Sequence, residues 1–208
     1  MTNGTTENLL AIYHLSSASD KAYGLGWYQL AFDIAKNIGK IGNIGTMRAA
    51  AVIAALSPNN RWERNTQDAE NLVRAYVAGG ADAAEEIKVC TYGANKRKAI
   101  KLLSQDTVLT SAYLEILNGR KIKAFFSCII NAHNDDSHED DSLRVCVDGH
   151  AYGIWIGERL SMKKVPNIGV KLYKAIAADY IAAANEIGIR PSELQAITWC
   201  TWRRIHDV

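Results

Sequence analysis

From Thr46 to Leu56 the chain runs Thr-Met-Arg-Ala-Ala-Ala-Val-Ile-Ala-Ala-Leu, apolar on almost every side once wound into a helix. A helix without a polar face cannot rest on a surface, so other elements must cover it all round. It is far shorter than the roughly 20 apolar residues needed to span a bilayer, which marks it as a central buried helix. Ser57-Pro58-Asn59-Asn60-Arg61-Trp62 stops it, because the residue before a proline avoids the α conformation and asparagine favours turns.

The covering elements follow from the same periodicity. Between about Glu7 and Lys36, apolar positions at helical spacing (Leu9, Leu10, Tyr13, then Tyr28, Leu30, Ala31, Ile34) are interrupted near Tyr23-Gly24-Leu25-Gly26. This predicts two helices joined by a glycine turn, and Gly39, Gly42 and Gly45 then predict a loop. A helix over about 62–77 has Ala69, Leu72, Val73 and Tyr76 on one side and ends at Gly79-Gly80. Shorter helices follow over about 81–87, 95–103 and 110–117, the last closed by Asn118-Gly119. The next carries Ile122, Phe125, Phe126, Ile129 and Ile130 as its buried stripe. Val145-Cys146-Val147 reads as a brief extended segment. Three more helices are predicted, from Gly149 to about Leu160, over 170–187, and over 191–205. About ten helices without a convincing pair of strands predict an all-α fold. Trp155, Trp199 and Trp202 fall at helical spacing and are expected in the core.

A chain of 208 residues, 48% hydrophobic and 22% charged, can bury the core of one domain. The N-terminus Met-Thr-Asn-Gly-Thr-Thr-Glu-Asn lacks the basic-then-apolar form of a secretion signal, and no apolar run approaches bilayer length. The expectation is a cytoplasmic monomer with no membrane partner. Cys90, Cys128, Cys146 and Cys200 are scattered and form no Cys-x-x-Cys pair, so four reduced, mostly buried thiols are expected and no metal. The net charge is only +2, but basic residues gather at Lys96-Arg97-Lys98, Arg120-Lys121-Lys123, Lys163-Lys164 and Arg203-Arg204. On a shared face these groups would bind phosphates, whereas separately each reads as a solvated helix face. The acidic stretch Asp135 to Asp141, with His133 and His138, reads as a solvated loop in preference to a metal site.

Residues suited to chemistry lie between Gly119 and Tyr152. Lys121, two residues after a glycine, opens an apolar helical run. Asp148 ends the extended segment and precedes a helix, where an aspartate is either an ordinary N-cap or a reacting carboxylate. His150, read alone, is a packed residue or one that supports a neighbour in the site. An amine at the mouth of one helix and a carboxylate at the start of another can converge on one site.

Four stretches of the chain carry a family likeness. Leu117-Asn118-Gly119-Arg120-Lys121, with Phe125-Phe126 just beyond, followed by Val145-Cys146-Val147-Asp148-Gly149-His150, resembles the helix-hairpin-helix DNA glycosylase superfamily of the endonuclease III type. Ile53-Ala54-Ala55-Leu56-Ser57-Pro58-Asn59-Asn60 resembles the helix that ends in that family's Leu-Ser motif, and Tyr92 to Ile100 resembles its Gly-x-x-x-Lys-Ala segment. Order and spacing of the four span most of the chain. The resemblance implies a two-lobed helical fold in a single domain 1–208, with lobes of about 46–118 and 1–45 plus 119–208. It also implies duplex DNA with a modified or damaged base as partner, Lys121 and Asp148 as catalytic residues, and Gly119, Arg120, Lys123, His150, Lys96 and Lys98 as DNA or substrate contacts. Asn59, Asn60, Arg61 and Trp62, at a helix end, are the candidates to fill the gap left by an extruded base. The chain departs from the family in a shortened hairpin that lacks the second glycine, in a long acidic insert, and in lacking a C-terminal four-cysteine cluster, so no iron–sulfur centre or other cofactor is expected. Register is open as well, since aligning from Leu117 selects Lys123 and the phenylalanine pair selects Lys121. In a helix the two point about 200° apart, so one serves, and Lys121 is the expected nucleophile.

The implied chemistry needs these residue types. Breaking an N-glycosidic bond builds positive charge on the sugar, which a carboxylate stabilises. A desolvated amine can then attack the anomeric carbon to form a Schiff base, opening a route to strand scission. Phage-encoded relatives of this fold that modify thymine-derived bases imply a base-modifying transferase as the alternative, and a non-catalytic DNA-binding module is the reading from a different class.

Overall fold

The computed structural model describes residues 4–107, 109–133, 140–161 and 163–207. Among these residues there are ten α-helices, one short 3-10 turn at Asp141–Arg144 and no β-strand, so the fold is all-α. None of the helices is long and apolar enough to cross a membrane. The chain divides into two compact units, the first from the described residues of 1–29 and 131–208 and the second from 30–130.

The second unit is organised by α3, Thr46–Leu56, in which every residue from Ala49 to Leu56 is buried. It is covered by α4 (Trp62–Glu85), α5 (Gly93–Leu103), α6 (Thr110–Ile116) and α7 (Arg120–Ile130). The five alanines of α3 let these neighbours come close, while Ile53 and Leu56 fill the remaining space, each contributing about 1.5–3 kcal/mol of burial. Gly79 and Gly80 leave the helical region and break α4 into two stretches, as the glycine pair predicts. Gly119, at φ +81°, accepts the first backbone bond of α7 from Lys123 at 3.1 Å, and it takes a backbone shape that residues with a side chain rarely adopt.

In the first unit α10 (Pro191–His206) packs on α1 (Thr6–His14), α8 (Gly149–Ile156) and α9 (Val170–Ile187). Buried Tyr28 donates its hydroxyl proton to Gln195 Oε1 at 2.9 Å, tying the first half of α2 (Ala18–Gly42) to α10. The N-terminal stretch differs from the sequence expectation. No turn interrupts α2 at Gly24 or Gly26, and the break falls earlier, between His14 and Ala18. Gly24 is retained in the helix for packing, because a Cβ there would lie 2.6 Å from the Ile197 backbone. The predicted loop at Gly39 and Gly42 is helical for a similar reason. A Cβ at Gly39 would meet the Gly45 carbonyl carbon at 2.8 Å, and one at Gly42 would meet Val73 Cγ1 at 2.4 Å. Close approach outweighs the roughly 1 kcal/mol that a glycine costs inside a helix. Toward the C-terminal side, α8 stops at Ile156, short of Leu160, where Gly157 caps it in the left-handed conformation.

Candidate functional site

In the second unit, two loops are tied together beside the start of α5. Asn59 has a left-handed backbone (φ +56°) and is exposed, and its side-chain amide donates to the Tyr92 hydroxyl. Thr91 Oγ1 donates to the Pro58 carbonyl at 2.8 Å and accepts from Asn95 Nδ2 at 2.9 Å. Asn60 turns inward, giving its amide protons to the Leu56 carbonyl at 3.4 Å and to Asp68 Oδ2 at 3.1 Å. Since both partners are acceptors, the amide nitrogen must face them. Adjacent asparagines therefore have separate tasks, one outward and one structural. Arg61 is exposed, and half-buried Trp62 packs edge-on against Phe125 at 6.2 Å between centroids, which commits its ring to the core.

The basic helix α5 is divided in the same way. Lys96 bonds the Glu85 carbonyl and pairs with its carboxylate at 3.2 Å, so this amine closes the end of α4. Lys98 is half-buried and Arg97 exposed, and Tyr92, just before the helix, leaves 64% of its surface in solvent. An aromatic of that exposure, oriented by Asn59, is a candidate contact that periodicity did not reveal. Asp68 is fully buried on α4, with Arg64 at 2.6 Å and the Cys90 amide at 2.7 Å. Its signal was present in the sequence, because 65, 68, 69 and 72 form the buried stripe of that helix and a carboxylate there needs partners.

Lys121 is exposed in the first turn of α7, Lys123 and Arg120 are half-buried, and Gly119 lies in the connecting loop. Phe125 follows Lys121 by one turn and so shares its side of the helix.

Asp148 lies in the first unit and Lys121 in the second. Asp148 is the N-cap of α8, half-buried, and its Oδ1 accepts the Ala151 amide at 2.9 Å. The residues before it are extended and clasped by Tyr173, whose hydroxyl accepts from the Val147 amide at 3.0 Å and donates to the Val145 carbonyl at 2.7 Å. Burial pushes the Tyr180 phenol far above its ordinary range, opposed in part by its bond to Thr198, and the negative charge of Asp148 adds to the rise. His150 is half-buried in the first turn of α8.

Other expectations resolve residue by residue. Lys163 and Lys164 are exposed in the first unit, as are Arg203 and Arg204, but Arg203 lies over the Trp199 ring at 4.6 Å and Arg204 pairs with Asp20 at 2.8 Å. Of the three tryptophans expected in the core, only Trp202 is buried. Trp199 is half-buried under Arg203, and Trp155 is half-buried because its indole N–H reaches Asp179 at 2.6 Å. The four cysteines are in no disulfide, with Cys128 and Cys146 buried, Cys200 half-buried and Cys90 exposed. Burial pushes the Cys200 thiol up to about 11, which makes it a poor nucleophile. Of the acidic stretch, Asp135 to Glu139 and His138 lie outside the described residues. His133 is exposed, Asp140 caps the 3-10 turn, and Asp141 pairs with Arg144 at 3.8 Å.

No curated protein and no solved structure matches this chain. Residues 1–206 match a family of unknown function, DUF7178, and the chain belongs to that family.

Proposed function

We propose that the protein acts on DNA in the manner of a helix-hairpin-helix glycosylase, at a nucleotide turned out of the duplex. The observation that carries this reading is the placement of Lys121, at the start of a helix whose next turn packs on Trp62, in the same unit as exposed Asn59, Tyr92 and Arg97 and half-buried Lys98. A candidate nucleophile and a candidate DNA-contacting loop thus share one compact body.

In this reading the Asp148 carboxylate stabilises the cationic sugar as the glycosidic bond breaks. The Lys121 amine attacks the anomeric carbon as the bond to the base breaks, one amine proton passing to the departing base. The C1′–O4′ bond of the resulting aminal then breaks, the ring oxygen takes the second amine proton, and the opened sugar is held as the Schiff base. Lys121 is exposed, so its desolvation is left to the bound DNA. Asn59 contacts the duplex beside the extruded nucleotide, Lys98 and Arg97 bind phosphates, and Arg120, Lys123 and His150 are further contacts to DNA or substrate. The glycosylase-like fold and its reduced hairpin belong to the same proposal, supported by the three-residue connection between α6 and α7 with Gly119 at positive φ.

Exposure of Lys121 also favours a second reading, in which the base is modified and stays on its sugar, since that reaction needs no desolvated amine. One experiment separates the two. Duplexes that each carry one damaged or hypermodified base are incubated with the protein and analysed by mass spectrometry. Base release is expected. A heavier base retained in the strand would favour modification, and intact binding without any product would favour a non-catalytic module.

A further inference from the structure

Asp68 stands on the buried side of α4 with none of its side chain exposed, whereas Arg64, one turn earlier, keeps 56% of its side chain in solvent. The arginine gives its Nε proton to Asp68 Oδ1 at 2.6 Å. The other carboxylate oxygen accepts from the Cys90 amide at 2.7 Å and from Asn60 Nδ2 at 3.1 Å. Held from three directions, the carboxylate cannot follow the arginine outward. A guanidinium has five N–H donors in a rigid plane, and Asp68 takes only the one on Nε. The terminal nitrogens of Arg64 bond no other described residue.

We propose that Arg64, oriented by Asp68, is a phosphate-binding residue of the DNA interface, an inference that rests on the DNA-binding reading above. A planar fork fixed in advance matches two oxygens of one phosphate and gives up little rotamer freedom on binding. Its setting is suitable. Arg64 lies in the first turn of α4, where the helix dipole favours an anion, and exposed Arg61 and Asn59 stand just before that turn. Glu63, exposed in the same turn, is the opposing charge. The Asp68 charge is compensated internally by its three donors, so the outward surface of the pair is the cationic one.

Positioning by Asp68 can be told from simple charge by the sign of one result. If Asp68 acted only as a negative charge near DNA, its removal would strengthen binding. If it aims Arg64, Asp68→Asn weakens binding although a negative charge is lost. Affinity for a fluorescent duplex oligonucleotide is measured at several salt concentrations for the wild type, Arg64→Ala, Arg64→Lys and Asp68→Asn, alongside their thermal melts. Arg64→Ala removes the charged donor of buried Asp68 and should lower the melting temperature, so affinities are compared well below every melt; there it should lose roughly three- to tenfold in affinity and lower the salt slope by about one. Arg64→Lys should recover the slope but not the full affinity. Unchanged affinity and slope in Arg64→Ala, or tighter binding by Asp68→Asn, would overturn the proposal. A second arm follows the Arg64 Nε–H resonance during titration with inorganic pyrophosphate, which needs no DNA. A shift in the wild type, reduced in Asp68→Asn, would support the phosphate site even if the duplex does not bind, in which case only the DNA reading fails. No shift and no duplex binding would overturn both.

Discussion

The Tyr173 hydroxyl accepts the Val147 amide proton at 3.0 Å and passes its own proton to the Val145 carbonyl at 2.7 Å, clasping the extended residues that lead into Asp148. All three clasped residues, 145 to 147, are buried. Tyr173→Phe would leave a buried amide and carbonyl without partners, at a cost of about 1–3 kcal/mol. Urea denaturation should show a lower midpoint at unchanged slope, and hydrogen exchange at the Val147 amide should quicken. An unchanged midpoint would show that the clasp contributes nothing.

Asp148 combines a cap with a proposed charge, and two substitutions separate them. Asparagine caps a helix about as well as aspartate, so Asp148→Asn should keep stability within a few tenths of a kcal/mol. Asp148→Ala should lose about 1 kcal/mol. If the carboxylate stabilises the sugar cation, both variants lose several orders of magnitude in single-turnover rate on a productive duplex, with DNA affinity unchanged or improved. A role confined to capping would make Asp148→Asn silent in both assays.

The adjacent asparagines should respond in opposite ways. Asn60→Ala removes a donor from buried Asp68 and should cost about 1–3 kcal/mol in thermal denaturation. Asn59→Ala should cost less in stability and more in function, lowering the preference for a duplex with an extruded base over an intact one. Equal losses for the two in both assays would contradict the division of roles seen in their contacts.

Acid stability should depend on Asp20. Its Oδ2 accepts from the Ser17 amide and from Arg204 Nε, both at 2.8 Å, and the Asp20 amide in turn donates to Ser17 Oγ at 3.1 Å, closing a capping box at the start of α2. Burial raises the carboxyl pKa, but the hydrogen bonds from Arg204 and Ser17 and the arginine charge together outweigh it and leave the value below the ordinary 3.8. A carboxyl lowered on folding stabilises fully above its unfolded pKa, and that contribution is lost as pH falls from about 3.8 through the lower folded value. Arg204→Met should therefore raise the acid-unfolding midpoint, while stability near neutrality changes by only about 0–1 kcal/mol because Arg204 is half exposed. An unmoved acid midpoint would remove Asp20 from the acid response.

Much of the helical framework was legible because it rests on composition. The unbroken apolar run at Ala49–Leu56 could only be a covered centre, and the Gly79-Gly80 pair could only interrupt a helix. The continuity of α2 through Gly24 was hidden, because it depends on Ile197, far away in sequence. Within the candidate site, Asp148 as a helix cap followed from its neighbours alone. Nothing local distinguishes Asn59 from Asn60, since their opposite orientations are set by a positive φ at the first and by buried Asp68 at the second. The engagement of Lys96 with Glu85 was equally invisible, as a basic cluster looks the same whether its amines face solvent or close a neighbouring helix.

The central claim is that Lys121 attacks the sugar of an extruded nucleotide, and borohydride trapping tests it most directly. Wild type, Lys121→Ala and Lys123→Ala are incubated with duplexes carrying modified bases and with borohydride, and the covalent protein–DNA adduct is resolved by denaturing electrophoresis. The expected result is an adduct with the wild type and with Lys123→Ala, and none with Lys121→Ala. An adduct that survives loss of Lys121 and disappears with Lys123 would contradict the assignment of the nucleophile. Absence of any adduct or released base, with DNA binding intact, would contradict the chemistry itself.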